Sequence, residues 1–423
     1  MTTKKPFRYL IPDIAVKRGI LIFLILASLE LFRFIPLAGL VNPMSLAAIG
    51  IMIAVVVFHI VYDKGHIPVK MNFSLEVILI LVSVFLSMFI AYAGHGQDFT
   101  TTLIAQRFMY FHLFYFVLHI FHFDRHYITR LIIYLGLVYV VLYIIQYILY
   151  PTILFGGNVR EDRGTVRIFL AGLGYAVTAY FICLFQYFAF KRARYLFLMF
   201  IFLIIFILMG TRQLLFGTIF LTLMSIIFSK KVHSKFGIIS LSILSVIPVY
   251  FMFQEIFQNM VEVTLEQRSE GDENIRVRAA LFFLGNLFPN KMAYILGNGA
   301  HSLNSSFGQK IWMYKEVFGF YQSDIGIIGD YTKFGILFVV AEIMIIVKAI
   351  RLKQGEYIKY IRYLFIFKLF TLFTGGGFLT STNAMVSNYL ILYILDIYLA
   401  EQKQDSVVPS ETVDQKPEVL YSG

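Results

Sequence analysis

The sequence predicts an all-α polytopic membrane protein of about twelve transmembrane helices with one large extracytoplasmic loop. Three observations carry this. Of 423 residues, 59% are hydrophobic and only 14% charged, with a mean hydropathy of +0.76. A soluble domain holds ~45–50% apolar and ~25% charged residues, so a water-soluble enzyme is excluded. The apolar residues run in long stretches near ~20 residues, not in the ~10-residue alternations of a membrane β-barrel. Finally, 36 Lys and Arg against 25 Asp and Glu give a net charge of +11, and those cations alternate along the chain.

Taken in order, residues 1–18 carry Lys4, Lys5, Arg8, Lys17 and Arg18 and read as a cytoplasmic N-terminus. The run from Gly19 to Leu40 is too long for a signal-peptide core and lacks a small-residue cleavage site, so an uncleaved first span is expected. Spans near 44–62, 74–93, 104–122, 131–150, 168–190, 194–209, 212–228 and 236–254 complete a first bundle over 19–254. Residues 255–323 form the extracytoplasmic loop, a cap too small for a good core of its own. The bundle resumes over 324–400, with spans near 325–347, 360–373 and 384–400, and 401–423 is a polar tail expected to be disordered. Glu30 and Arg33 read as an intramembrane ion pair. Asp330 and Lys333 read as another, or as a sign that the tenth span starts near Phe334.

Alternation from a cytoplasmic N-terminus puts roughly two thirds of the Lys and Arg on the inner side, as the positive-inside rule requires. Inner cations are mostly Lys and outer ones mostly Arg. Topology is set as well by either, but only Arg offers a planar fork that matches phosphate oxygens bidentately. Arg160, Arg163 and Arg167 precede the sixth span, Arg212 precedes the eighth, and Arg268, Arg276 and Arg278 open the large loop. The bland reading is snorkelling, or pairing with Glu161, Asp162, Glu270, Asp272 and Glu273.

Within the loop, Asp272, Glu273 and Asn274 look like the first turn of an amphipathic helix running to about Phe288, stopped by Pro289-Asn290. Gly297-Asn298-Gly299 is a turn signal. The only tryptophan, Trp312, follows a Ser/Asn cluster, so polar groups and a flat apolar face stand together as a sugar needs; an interfacial aromatic belt is the alternative.

These residues resemble the O-antigen polymerase and ligase superfamily of bacterial membrane glycosyltransferases (Wzy-type polysaccharide polymerases and O-antigen ligases). Arg163 and Arg167 before IFLAGLGYA, Met209-Gly210-Thr211-Arg212-Gln213 at a helix start, IRVRAALFF followed by Ile295-Leu296-Gly297-Asn298-Gly299, and Ser323-Asp324 followed by Lys333-Phe334-Gly335 match its short motifs in order, spacing and sidedness over roughly 160–345. Ligases of the superfamily usually carry a His ahead of the glycine matched by Gly335. Here Asp324 takes that place and the nearest loop His is His301, which favours a polymerase over a ligase.

The resemblance implies transfer of a glycan from undecaprenyl pyrophosphate to a hydroxyl of a second lipid-linked unit, outside the cytoplasmic membrane, without metal or cofactor. Membrane lipid, a chain-length regulator and a flippase are the implied partners; nothing in the sequence suggests nucleic acid. Pyrophosphate leaves readily once its charge is stabilised, a task for Arg212, Arg276 and Arg278 with Arg163 or Arg167. Asp324 is the expected base for the acceptor hydroxyl, with burial raising its carboxyl pKa, or a helix N-cap. His301 and Trp312 are the expected glycan contacts. The rival class is a lipid-linked oligosaccharide flippase, which would show twofold internal similarity. His112, His119, His122 and His126 fall on one side of a continuous helix and read as an interfacial stripe rather than a metal site. Lys368 lacks an obvious partner, Gly375-Gly376-Gly377 reads as a flexible hairpin, and the single Cys183 excludes a disulfide framework.

Overall fold

A computed structural model describes residues 13–62, 69–156, 159–162, 165–229, 254–270, 274–373, 375 and 377–407. Among the described residues the chain is all-α apart from one hairpin, in which β1 (Val159–Asp162) pairs antiparallel with β2 (Thr165–Ile168). The helices before it are α1 (Ile14–Ser28), α2 (Ala38–Tyr62), α3 (Ser74–His95), α4 (Phe99–Ala105), α5 (Phe114–Phe121) and α6 (Arg125–Leu149). After it come α7 (Leu173–Phe190), α8 (Ala193–Leu208), α9 (Arg212–Phe228), α10 (Gln254–Glu270), α11 (Ile275–Asn286), α12 (Ala293–Leu296) and α13 (Ser306–Phe318). The last three are α14 (Ile327–Arg351), α15 (Tyr360–Leu372) and α16 (Thr382–Val407).

Five helical stretches among the described residues are long and apolar enough to cross a membrane: 35–62, 74–95, 125–149, 173–190 and 382–404. A sixth is formed if α4 and the segment 107–121, bent by 64°, count as one. The other expected spans are shorter (α8, α9), broken, or, for 236–254, outside the described residues. Burial separates centre from rim. Only 33% of the apolar window is buried in α2 and α6, against 72% in α16. The rim helices turn large side chains such as Val61, Ile148 and Phe197 outward. A helix apolar on all sides belongs inside, and α16 is that helix: Tyr389 through Leu395 are completely buried, against α1, α5, α6 and α7.

Three expected spans are interrupted, each for a local reason. The first helix runs from Ile14 and stops at Ser28. Glu30, Leu31, Phe32 and Arg33 then take positive φ values of 50–57°, and the chain resumes as a short 3-10 turn over Ile35–Leu37. The expected Glu30–Arg33 pair forms at 2.8 Å, but within this left-handed turn. The span expected at 104–122 is α4, a 3-10 turn (Arg107–Leu113) and α5, ending at His122 in the left-handed region. Arg107 marks the bend, donating to the Ile104 carbonyl at 2.9 Å and to Asn42 Oδ1 at 2.7 Å. The histidines are therefore not an interfacial stripe on one helix. His112 and His119 are fully buried, bonded to the Tyr389 hydroxyl and to Asp396 respectively. The third interruption, in α14 at Gly335, belongs to the candidate site.

The loop does form a small core. α11 and α13 pack Ala279, Phe283, Leu287, Phe307, Ile311 and Tyr314 together, with Phe320 and Ile325. α11 begins later than expected: Asn274 is its N-cap, accepting from the Arg276 N–H at 3.0 Å, and it ends at Asn286. The polar tail is helical as far as Val407, so α16 extends past the expected boundary at 401.

Candidate active site

Three arginines from distant parts of the chain meet at one end of the bundle. Arg167 lies on β2, where its Nε donates to the Met209 carbonyl at 3.1 Å and its guanidinium sits 5.0 Å from the Phe169 ring centre. The hairpin is fixed there by the Thr165 hydroxyl, which donates to the Leu208 carbonyl at 2.9 Å. These bonds use the carbonyls that the end of α8 leaves without intrahelical partners. Gly210, at φ 59°, turns the chain tightly enough for Arg212 to open α9 at once. Arg212 Nη1 donates to the Thr264 hydroxyl on α10. The guanidinium groups of Arg276 and Arg167 both lie close enough to act on the charge of Arg212.

Arg276 and Arg278 do not act as a pair, because residues two apart on a helix point about 200° apart. Both are exposed on α11, and Arg276 is the one beside Arg212. Arg163 lies outside the described residues.

Behind the arginines α14 is broken, and the loop glycines complete the break. Gly335 takes φ 80°, which frees the carbonyls of the preceding turn. The loop supplies their donors. Thr332 O accepts from the Asn298 backbone N–H at 3.0 Å and from its Nδ2 at 2.8 Å, while Lys333 O accepts from the Gly299 N–H at 2.8 Å. Phe334 O accepts from the Ser83 hydroxyl of α3. Gly297 and Gly299, at φ 78° and 76°, are the residues this approach needs. Asn298 is also held by His95, whose Nε2 lies 2.9 Å from Asn298 Oδ1 and whose ring stacks on Phe307.

The other expected residues are placed unevenly. Asp324 stands on a 3-10 turn (Gln322–Ile325) packed against α11, the helix that carries Arg276. It is exposed, accepting only the Ser323 hydroxyl at 3.1 Å among the described contacts, so the expected burial is absent. Nor does it cap α14. The N-cap is Gly326, whose backbone lies so close to Leu372 and Phe373 that no Cβ fits. His301 sits at the helix break, partly buried; burial and then the Lys333 charge push its imidazole down to about 4. Trp312 is 51% exposed on α13. Lys368 on α15 lies 5.3 Å from the Phe378 ring centre. Gly377 has φ 97°, and Gly376 lies outside the described residues.

Sequence reasoning passed over Glu342, fully buried in α14, and the roles of His95, Asn298 and Thr380. An acidic residue inside an apolar run was the available signal for Glu342; the others have partners far away in sequence. No group of three metal-ligating side chains occurs among the described residues. Comparison with family models, curated proteins and solved structures found no match.

Proposed function

We propose that this chain is a polysaccharide polymerase similar to the Wzy-type enzymes. It would transfer a glycan from undecaprenyl pyrophosphate to a hydroxyl of another lipid-linked repeat unit, at the outer face of a bacterial cytoplasmic membrane. The observation that carries the reading is the meeting of Arg167, Arg212 and Arg276 at one end of an apolar bundle. Guanidinium forks held by Met209 O and Thr264 are oriented before a ligand arrives, and they match a pyrophosphate better than point charges would.

In this reading the arginines stabilise the departing pyrophosphate, and Asp324 takes the acceptor proton from the neighbouring turn. The short and broken helices α1, α8, α9, α14 and α15 complete a topology of about twelve spans, with the arginine face outside. In this reading the exposed Trp312 and the partly buried His301 of the loop contact the glycan.

Purified protein in lipid vesicles, given defined lipid-linked repeat units, is expected to build a ladder of longer glycans. Movement of the lipid-linked unit across the bilayer with no new glycosidic bond would overturn the polymerase reading in favour of a flippase. Transfer only to a lipid A-core acceptor would favour a ligase.

A further inference from the structure

Among the ionisable side chains of α14 that the proposed transfer does not use are Asp330, Lys333 and Glu342. The two acids are buried, Asp330 3% and Glu342 0% exposed, but they are not equivalent. Asp330 Oδ1 accepts the Thr380 hydroxyl at 3.0 Å and lies within the field of the Lys333 ammonium. Glu342 has neither. Both of its carboxylate oxygens lack a hydrogen-bond partner among the described residues, and the Leu379 backbone is the polar group nearby. Its neighbours along the helix, Phe338, Ala341, Ile345 and Ile346, are apolar and completely buried.

Counting charges decides the state of this cluster. Two carboxyl groups share one cation. Were both ionised, the interior would hold an uncompensated negative charge, and removing such a charge from water costs several kcal/mol. One bound proton makes the cluster neutral, and Glu342 is where it rests, because Asp330 Oδ1 accepts the Thr380 hydroxyl and lies in the field of Lys333, leaving only Oδ2 without a partner, whereas both Glu342 oxygens lack one among the described residues.

Among the described residues, the surrounding elements add no second cation to Glu342. Tyr389 of α16 lies against it and bonds His112, whose other ring nitrogen has no partner among the described residues. Glu76 of α3 is taken by Lys348 at 2.8 Å, Lys368 of α15 is seated over Phe378, and His301 lies beyond Lys333.

We propose that Asp330 and Glu342, balanced by Lys333, form a proton-binding site inside the bundle that holds one exchangeable proton, resident on Glu342. The site stands whether or not the chain is a glycosyltransferase.

Infrared spectroscopy of the full-length protein tests it. At neutral pH the wild type is expected to show the C=O stretch of a protonated carboxyl that shifts in D2O and is lost in Glu342→Gln. Lys333→Met should enlarge the band, because Asp330 then needs a proton as well. No such band in the wild type, a band that survives in Glu342→Gln, or one that never shifts in D2O would overturn the proposal. Glutamine keeps the size and neutrality of the protonated acid, so failure of Glu342→Gln to fold would overturn it equally.

Discussion

Gly297 and Gly335 lie back to back, each backbone filling the space that a Cβ on the other would need. The contact joins the large loop to the break in α14 and fixes where the loop's polar residues stand. Either glycine replaced by alanine is expected to destabilise the protein by about 1–3 kcal/mol from backbone strain alone, before the steric overlap is added. Thermal melting in detergent, with limited proteolysis of the loop, measures this. An alanine variant that melts like the wild type would show that the two segments separate without cost.

Arg212→Lys is expected to leave folding intact and abolish chain extension, since a point charge cannot replace a fork held by Thr264. A polymer ladder of normal length from this variant would remove the pyrophosphate role.

Asp324 is exposed, so its Asn variant is expected to melt as the wild type does. Loss of the base should still slow transfer by roughly 10²–10⁴-fold. Full transfer on purified lipid-linked repeats would leave Asp324 as a turn residue only.

Lys333→Met removes the cation whose field reaches the buried Asp330, and is expected to destabilise the fold. Asp330→Asn combined with Lys333→Met is expected to recover a large part of that loss. A double-mutant cycle on unfolding gives the coupling; strictly additive losses would show that the two groups do not interact.

The His301 imidazole, pushed down to about 4 by burial and by Lys333, binds its proton less readily folded than unfolded. Between its ordinary 6.5 and about 4 the unfolded chain holds the extra proton, so stability from this group falls as pH drops through that window. Melting temperature followed over that range should fall less steeply in His301→Gln. Identical slopes would show that His301 titrates alike in both states.

Much of the helix pattern was legible because each apolar run states its own length: α3 and α9 begin and end close to where the sequence put them. The arginine cluster was legible in part. Its members stood out by being Arg on the expected outer side, yet nothing in the order of residues separates Arg276 from Arg278. Helix phase against α9 makes that distinction. Asp324 failed as a buried group because its exposure depends on Gly326 pressing against the end of α15, a contact between residues far apart in the chain.

By itself the sequence determined that the chain is all-α and strongly apolar. A long apolar run with no water to bond its backbone must satisfy its own N–H and C=O groups, and a helix does so locally. Tertiary structure alone decided where helices break, because a broken turn survives only if distant donors reach its carbonyls. Asn298, Gly299 and Ser83 do this for Thr332, Lys333 and Phe334. It also decided which charges meet, since a guanidinium or carboxylate takes its neighbours from packing and not from its place in the chain.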